Sequence, residues 1–160
     1  MFTDIVGFTE YTAIRGDAEA VALLTLQERL VREALPPGAR IVKELGDGLL
    51  LWFPDPCAAI EAALGLQPKF ERESDGRPFW VRMGMHWGSQ TVRREDLIGH
   101  DVNVASRIVN VASPGELLVS DATVKRIGNG PVRAQFEPIG PVVMKGIPEP
   151  MRLFRVTAPA

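Results

Sequence analysis

The residues with chemistry to offer are few, and the most conspicuous is an acid in the wrong company. Asp4 lies inside the opening run MFTDIVGFTE, where strand alternation puts Phe2, Asp4 and Val6 on one face and Met1, Thr3 and Ile5 on the other. An ionised carboxylate left unpaired among apolar neighbours costs on the order of several kcal/mol, so a cation, a cluster of donors or a raised pKa must compensate. Asp47 stands in KELGDGLL, between two strand-like runs. An Asp-Gly pair there makes a hairpin turn with no further role needed, and Asp4 by itself could cap the turn after Val6. If the first strand pairs beside the hairpin, however, the two carboxylates meet at one end of a sheet. That is how Mg²⁺ is held when substrate phosphates supply the remaining oxygens.

A second group lies in DVNVASRIVN, where Asn103, Arg107 and Asn110 recur at helical spacing as a polar stripe opposite Val102, Ala105 and Val109. A solvated helix face explains this pattern. So does a donor pair for a ribose or phosphoryl oxygen, since arginine binds such groups through a planar fork. His86 and His100 have no Cys/His cluster around them, and no Ser-His-Asp or Cys-His spacing stands out. There is no GxxxxGK[ST] loop and no GxGxxG after a strand, so any nucleotide is held by other means.

These residues need elements to position them. A helix is expected from Asp17, its N-cap, with Leu23, Leu26, Leu30 and Ala34 in register and PPG at 36–38 ending it. ARIVKEL and LLLWF form the hairpin around GDG, and Asp55-Pro56 opens a second helix through CAAIEAALGL. FWVRMGMHWG reads as a strand with Val81, Met83, Met85 and Trp87 toward the core. GSQTVRRED reads as a loop, and DVNVASRIVNVAS as a helix. LLVSD, ATVKRI and RLFRVTA follow as strand, short helix and closing strand. The order βαββαβ, then αβ and αβ, predicts an α+β sandwich with helices on a sheet.

The totals agree with one ordinary globular domain over residues 1–160: 46% hydrophobic, 24% charged, net charge −2. That balance leaves no electrostatic footprint for nucleic acid. Cys57 has no cysteine to pair with, and no signal-peptide pattern opens the chain, so a cytoplasmic, reducing setting is expected. The longest apolar run, GLLLWFP at 48–54, is far short of the roughly 20 residues needed to span a bilayer, so no membrane contact is expected of this stretch. The abrupt start, with Asp4 almost at the terminus, leads us to expect that residues upstream have been lost or cut away.

FTDIVGFT, KELGDG and DLIGHDVNVASR, in this order and at these separations, resemble the catalytic domain of class III nucleotidyl cyclases, the adenylate and guanylate cyclases. The resemblance runs from residue 1 to about 156, ending in MKGIPEPMRLFRV. It implies a ferredoxin-like βαββαβ sandwich with extra C-terminal strands that pairs head to tail as a homodimer, with active sites at the interface. It makes Asp4 and Asp47 the ligands of two divalent cations, Mg²⁺ or Mn²⁺, with the backbone carbonyl of Ile5 as a further ligand. Lys43 and Asp96 match the pair that selects the base, in the form that reads adenine. Asn103 and Arg107 match the residues that orient the ribose and stabilise the transition state, and Lys145 resembles a triphosphate-binding lysine. Metals from one protomer and base-reading residues from the other would complete each site, so ATP and a second copy of the chain are the expected partners. A guanylate cyclase, a catalytically silent nucleotide-binding dimerisation module and a polymerase-like palm domain are the competing readings. The palm domain lacks its GGDEF-type signature here.

Overall fold

The computed structural model describes residues 1–160. Fourteen elements follow in chain order: β1 (Phe2–Ile5), α1 (Phe8–Arg15), α2 (Asp17–Ala34), β2 (Arg40–Leu45), β3 (Gly48–Trp52), α3 (Pro56–Glu73), β4 (Val81–Met85), β5 (Thr91–Arg93), β6 (Asp96–Ile98), α4 (His100–Val111), β7 (Leu117–Ser120), α5 (Asp121–Ile127), β8 (Gln135–Val142) and β9 (Met151–Thr157). Seven strands make one sheet in the order β2-β3-β1-β4-β7-β9-β8, with β4 and β7 parallel and every other pair antiparallel. The first four of these are the ferredoxin-like βαββαβ arrangement expected, extended by β7, β9 and β8.

Both faces of the sheet are covered. Leu49, Leu51, Val81, Met83, Leu117 and Val119 point to the larger core, built with Leu23, Leu30 and Val31 of α2 and Ile60, Ala63 and Phe70 of α3. The alternate positions face α4: Phe2 and Leu50 meet Ala105 and Val109, while Leu118 and Leu153 meet Val104 and Ile108. Burial on both sides explains why β3 reads GLLLW rather than alternating, since no position is left for a polar residue. Gly84 sits where α4 crosses β4; a Cβ there would stand 2.3 Å from the Val109 nitrogen, so only glycine lets the helix lie this close.

The structure departs from the sequence reading in four places. A separate α1 precedes the helix expected from Asp17. The chain bends between the two at Gly16, whose φ of 88° favours glycine. The hairpin turn is Gly46-Asp47 rather than Asp47-Gly48, because Leu45 pairs with Gly48. Gly48 belongs to β3 and is needed there: a Cβ would meet the Thr3 carbonyl oxygen at 2.2 Å. GSQTVRRED contains β5, which pairs with β6 as a short hairpin instead of remaining a loop. Finally, β8 was not expected, since Pro138, Gly140 and Pro141 disguise it. As the outermost strand it tolerates them, with its register shifting between the two prolines.

Candidate active site

At the turn between β2 and β3, Asp47 comes beside Asp4. Asp4 lies opposite Gly48 in the β1–β3 pairing, and the Ile5 N–H donates to the Asp47 carbonyl at 3.3 Å. Burial first, then the charge of Asp4 and a hydrogen bond between the two carboxyls, push the Asp47 pKa up to about 6. The turn is held from behind by Gln27 of α2, which is buried. Its side-chain nitrogen donates to the Asp47 carbonyl at 3.2 Å, and its oxygen accepts from the Thr3 hydroxyl at 2.9 Å. Thr3 in turn accepts from the Leu49 N–H at 3.1 Å. Every polar atom in this buried relay has a partner.

The cation that Asp4 requires is Arg82. It lies directly across from Asp4 in the β1–β4 pairing and places Nε at 2.7 Å and Nη2 at 2.6 Å from the same Asp4 oxygen. Its third nitrogen donates to the Asn110 carbonyl at 3.0 Å, at the end of α4. Sequence reasoning missed Arg82, although the signal was present. Alternation along FWVRMGMHWG puts it on the face opposite the core residues, and antiparallel pairing of β1 with β4 sets it against Asp4.

The two carboxylates offer hard oxygen ligands of the kind that Mg²⁺ and Mn²⁺ accept. No group of three or more Asp, Glu, His or Cys side chains is arranged to hold a metal ion. Asp4 and Asp47 therefore hold too few oxygens to enclose such an ion alone, and fit one only with a ligand's oxygens completing the shell.

Away from these acids, Lys43 on β2 and Asp96 on β6 form an ion pair at 2.8 Å, half-exposed to solvent. The Lys43 ammonium, with help from the Leu97 N–H at 2.7 Å, holds the Asp96 carboxyl below the usual carboxylate range. Phe2, Leu50, Trp52, Leu97 and Val102 line a largely apolar cavity, and Leu50 and Leu97 adjoin the pair. On α4, Asn103 is exposed and Arg107 half-buried. A Cβ on Gly146 would stand 3.9 Å from Arg107 Nη2, so the turn carrying the exposed Lys145 lies against that guanidinium. The chain thus brings together Asp4 with Asp47, Lys43 with Asp96, and Arg107 with the Lys145 turn. Leu45, Val92 and Ile98 leave large apolar side chains exposed on β2 and on the β5–β6 hairpin.

The profile of the adenylate and guanylate cyclase catalytic domain matches residues 1–158. A pH-sensitive adenylate cyclase of Mycobacterium tuberculosis is 32% identical over 97% of this chain, which spans 39% of that protein's length. Among solved structures, adenylate cyclases from Trypanosoma brucei in their monomeric state superpose with a TM-score of 0.85 at 22% identity, covering 99% of this chain and 87% of theirs. The guanylate cyclase domain of RhGC from Catenaria anguillulae, in complex with GTP, superposes at 0.76 and 22% identity, covering 99% of this chain and 94% of its own. No helix of the chain is long and apolar enough to cross a membrane.

Proposed function

Because the chain belongs to the adenylate and guanylate cyclase catalytic domain family, we propose that residues 1–160 are the catalytic domain of an adenylate cyclase. It converts ATP to 3′,5′-cyclic AMP and pyrophosphate. The observation that carries the choice of base is the Lys43–Asp96 ion pair beside an apolar cavity. Adenine offers an amino donor, which a carboxylate accepts, and ring nitrogens, to which an ammonium donates. Guanine presents a carbonyl and a ring N–H at the same edge and would meet the wrong polarity.

Asp4, Asp47 and the Ile5 carbonyl are the residues that would hold two divalent cations, Mg²⁺ or Mn²⁺. When bound, such ions supply charge that offsets the triphosphate and lowers the pKa of the 3′-hydroxyl. The 3′-hydroxyl gives up its proton to water as its oxygen attacks the α-phosphorus; a new P–O bond forms, and the bond to pyrophosphate breaks with the electron pair leaving on pyrophosphate. Asn103 orients the ribose, Arg107 stabilises charge growing on the α-phosphoryl oxygens, and Lys145, in the turn against Arg107, binds the triphosphate. We place each site between two copies of the chain arranged head to tail, with the acids of one facing the Lys43–Asp96 pair and α4 of the other. The exposed apolar side chains of Leu45, Val92 and Ile98 support such a partner surface.

Product analysis after incubation with ATP and Mn²⁺ tests this reading. Wild-type protein is expected to make 3′,5′-cyclic AMP and Asp47→Ala none. Preference for GTP over ATP in competition would replace the adenine assignment with a guanylate cyclase. Absence of any cyclic nucleotide at high protein concentration would leave the silent dimerisation module as the reading.

A further inference from the structure

His86 follows the end of β4, and its ring is almost fully enclosed, with the side chain 8% exposed. Its Nε2 lies 3.1 Å from Asp101 Oδ1, in the first turn of α4, and its Nδ1 lies 2.7 Å from Ser120 Oγ, which caps α5. Asp101 is held a second time, through Oδ2, by the Ser89 N–H at 2.7 Å. Gly88 wraps so closely over that carboxylate that a Cβ there would stand 2.2 Å from Oδ2.

The Ser120 and Thr123 hydroxyls lie 3.1 Å apart, and either can donate to the other. Thr123 Oγ1 also accepts from the Trp87 N–H at 3.0 Å, and Ser120 Oγ from the Thr123 N–H at 3.3 Å. His86 Nε2 donates to the Asp101 carboxylate, while Nδ1 accepts from the Ser120 hydroxyl when the ring is neutral and donates to it when the ring is protonated, the Ser120 proton then turning to Thr123 Oγ1.

We propose that His86 is a positioning residue for the reaction: through Asp101 it fixes the first turn of α4 against β4 and α5, and with it Asn103 and Arg107. The proposal rests on the roles given to those two residues above. Gly99, the N-cap of α4, has no side chain to tie the helix start, and Asp101 is the residue of that turn bonded to β4's end and to the loop after it. The titratable and charged groups facing His86 are Asp101 and His100 of α4 and the amino terminus of Met1 beside β1, alongside the neutral hydroxyls of Ser120 and Thr123. Burial lowers the histidine's pKa more than Asp101 raises it, which favours the neutral ring.

The test compares wild type, His86→Ala, Asp101→Ala and His86→Gln by amide hydrogen exchange and by cyclase kinetics with ATP and Mn²⁺ between about pH 5 and 8. Both alanine variants should speed exchange at the start of α4 while leaving β3 protected. They should lower kcat by roughly 10- to 100-fold with KM for ATP near wild type, as small misplacement of reacting groups does. His86→Gln, which offers an N–H to Asp101 and a carbonyl to Ser120, should recover most of kcat and flatten the acid side of the pH profile. Unchanged exchange in α4 in both alanine variants, or a loss of kcat that only tracks the folded fraction, overturns the proposal. If wild type itself makes no cyclic nucleotide, the proposed function fails while the exchange data still decide whether His86 holds α4.

Discussion

Arg82 and Asp4 face each other across β1 and β4, and two guanidinium nitrogens converge on one carboxylate oxygen at 2.6 and 2.7 Å. The arginine thereby stabilises a pair of acids that would otherwise repel. The contact spends only one Asp4 oxygen, so a cation arriving at the other would share the carboxylate with Arg82.

Replacing Arg82 with leucine removes that charge and leaves Asp4 and Asp47 together, half-buried. Stability should fall by about 1–3 kcal/mol, the usual cost of an uncompensated polar group. Because Mn²⁺ would supply the missing charge, the gap from wild type should narrow when it is added. Urea unfolding with and without Mn²⁺ measures both effects, and an undiminished gap would show that no ion sits between these acids.

Asp47 gives the metal-free protein a pH dependence of known sign. Its folded pKa, about 6, lies above the ordinary carboxylate value, so between roughly pH 4 and 6 the folded state binds more protons than the unfolded one. Stability from this group is full below that window and declines as pH rises through it. A cation needs the deprotonated form, so Mn²⁺ affinity should climb with pH up to about 6 and level off above. Titration calorimetry on wild type and Asp47→Asn separates this group from the rest, since the variant should lose the climb.

Arg107→Ala should lower kcat by roughly 10²–10³-fold, about 3–4 kcal/mol, if it acts like other single groups that stabilise transition-state charge. Mixing inactive Arg107→Ala with inactive Asp47→Ala should restore activity, because a mixed dimer holds one site with both residues intact. No recovery on mixing would place the two residues in the same protomer's site and discard the head-to-tail arrangement.

Gln27→Leu leaves the Asp47 carbonyl and the Thr3 hydroxyl without their partner behind the turn. A loss of about 1–3 kcal/mol is expected, chiefly from the Thr3 hydroxyl proton left without an acceptor, since the Asp47 carbonyl keeps the Ile5 N–H. Activity at saturating Mn²⁺ should drop more than the folded fraction, because the Asp47 turn is no longer fixed; equal losses would make Gln27 a purely structural residue.

Local rules determined much of this protein from its sequence. Periodicity located α2 and α4, the Asp55-Pro56 start signal located α3, and the glycine-flanked Asp47 located the hairpin. The three motifs around Asp4, Asp47 and Asn103 led to the family and its sheet order, because helix and turn signals are short-range and survive in a linear reading. Elements whose local chemistry argues against them were not legible: β8 carries two prolines that only its edge position excuses, and the β5–β6 hairpin turns on Arg94 in a left-handed conformation. Tertiary structure alone decided the contacts that give the acids their character. Seventy-eight residues separate Asp4 from Arg82, twenty separate Gln27 from the carbonyl it holds, and thirty-four separate His86 from Ser120. Such pairings depend on which strands become neighbours and in what register. Sheet register is settled by burial on both faces at once, which no single segment of the chain encodes.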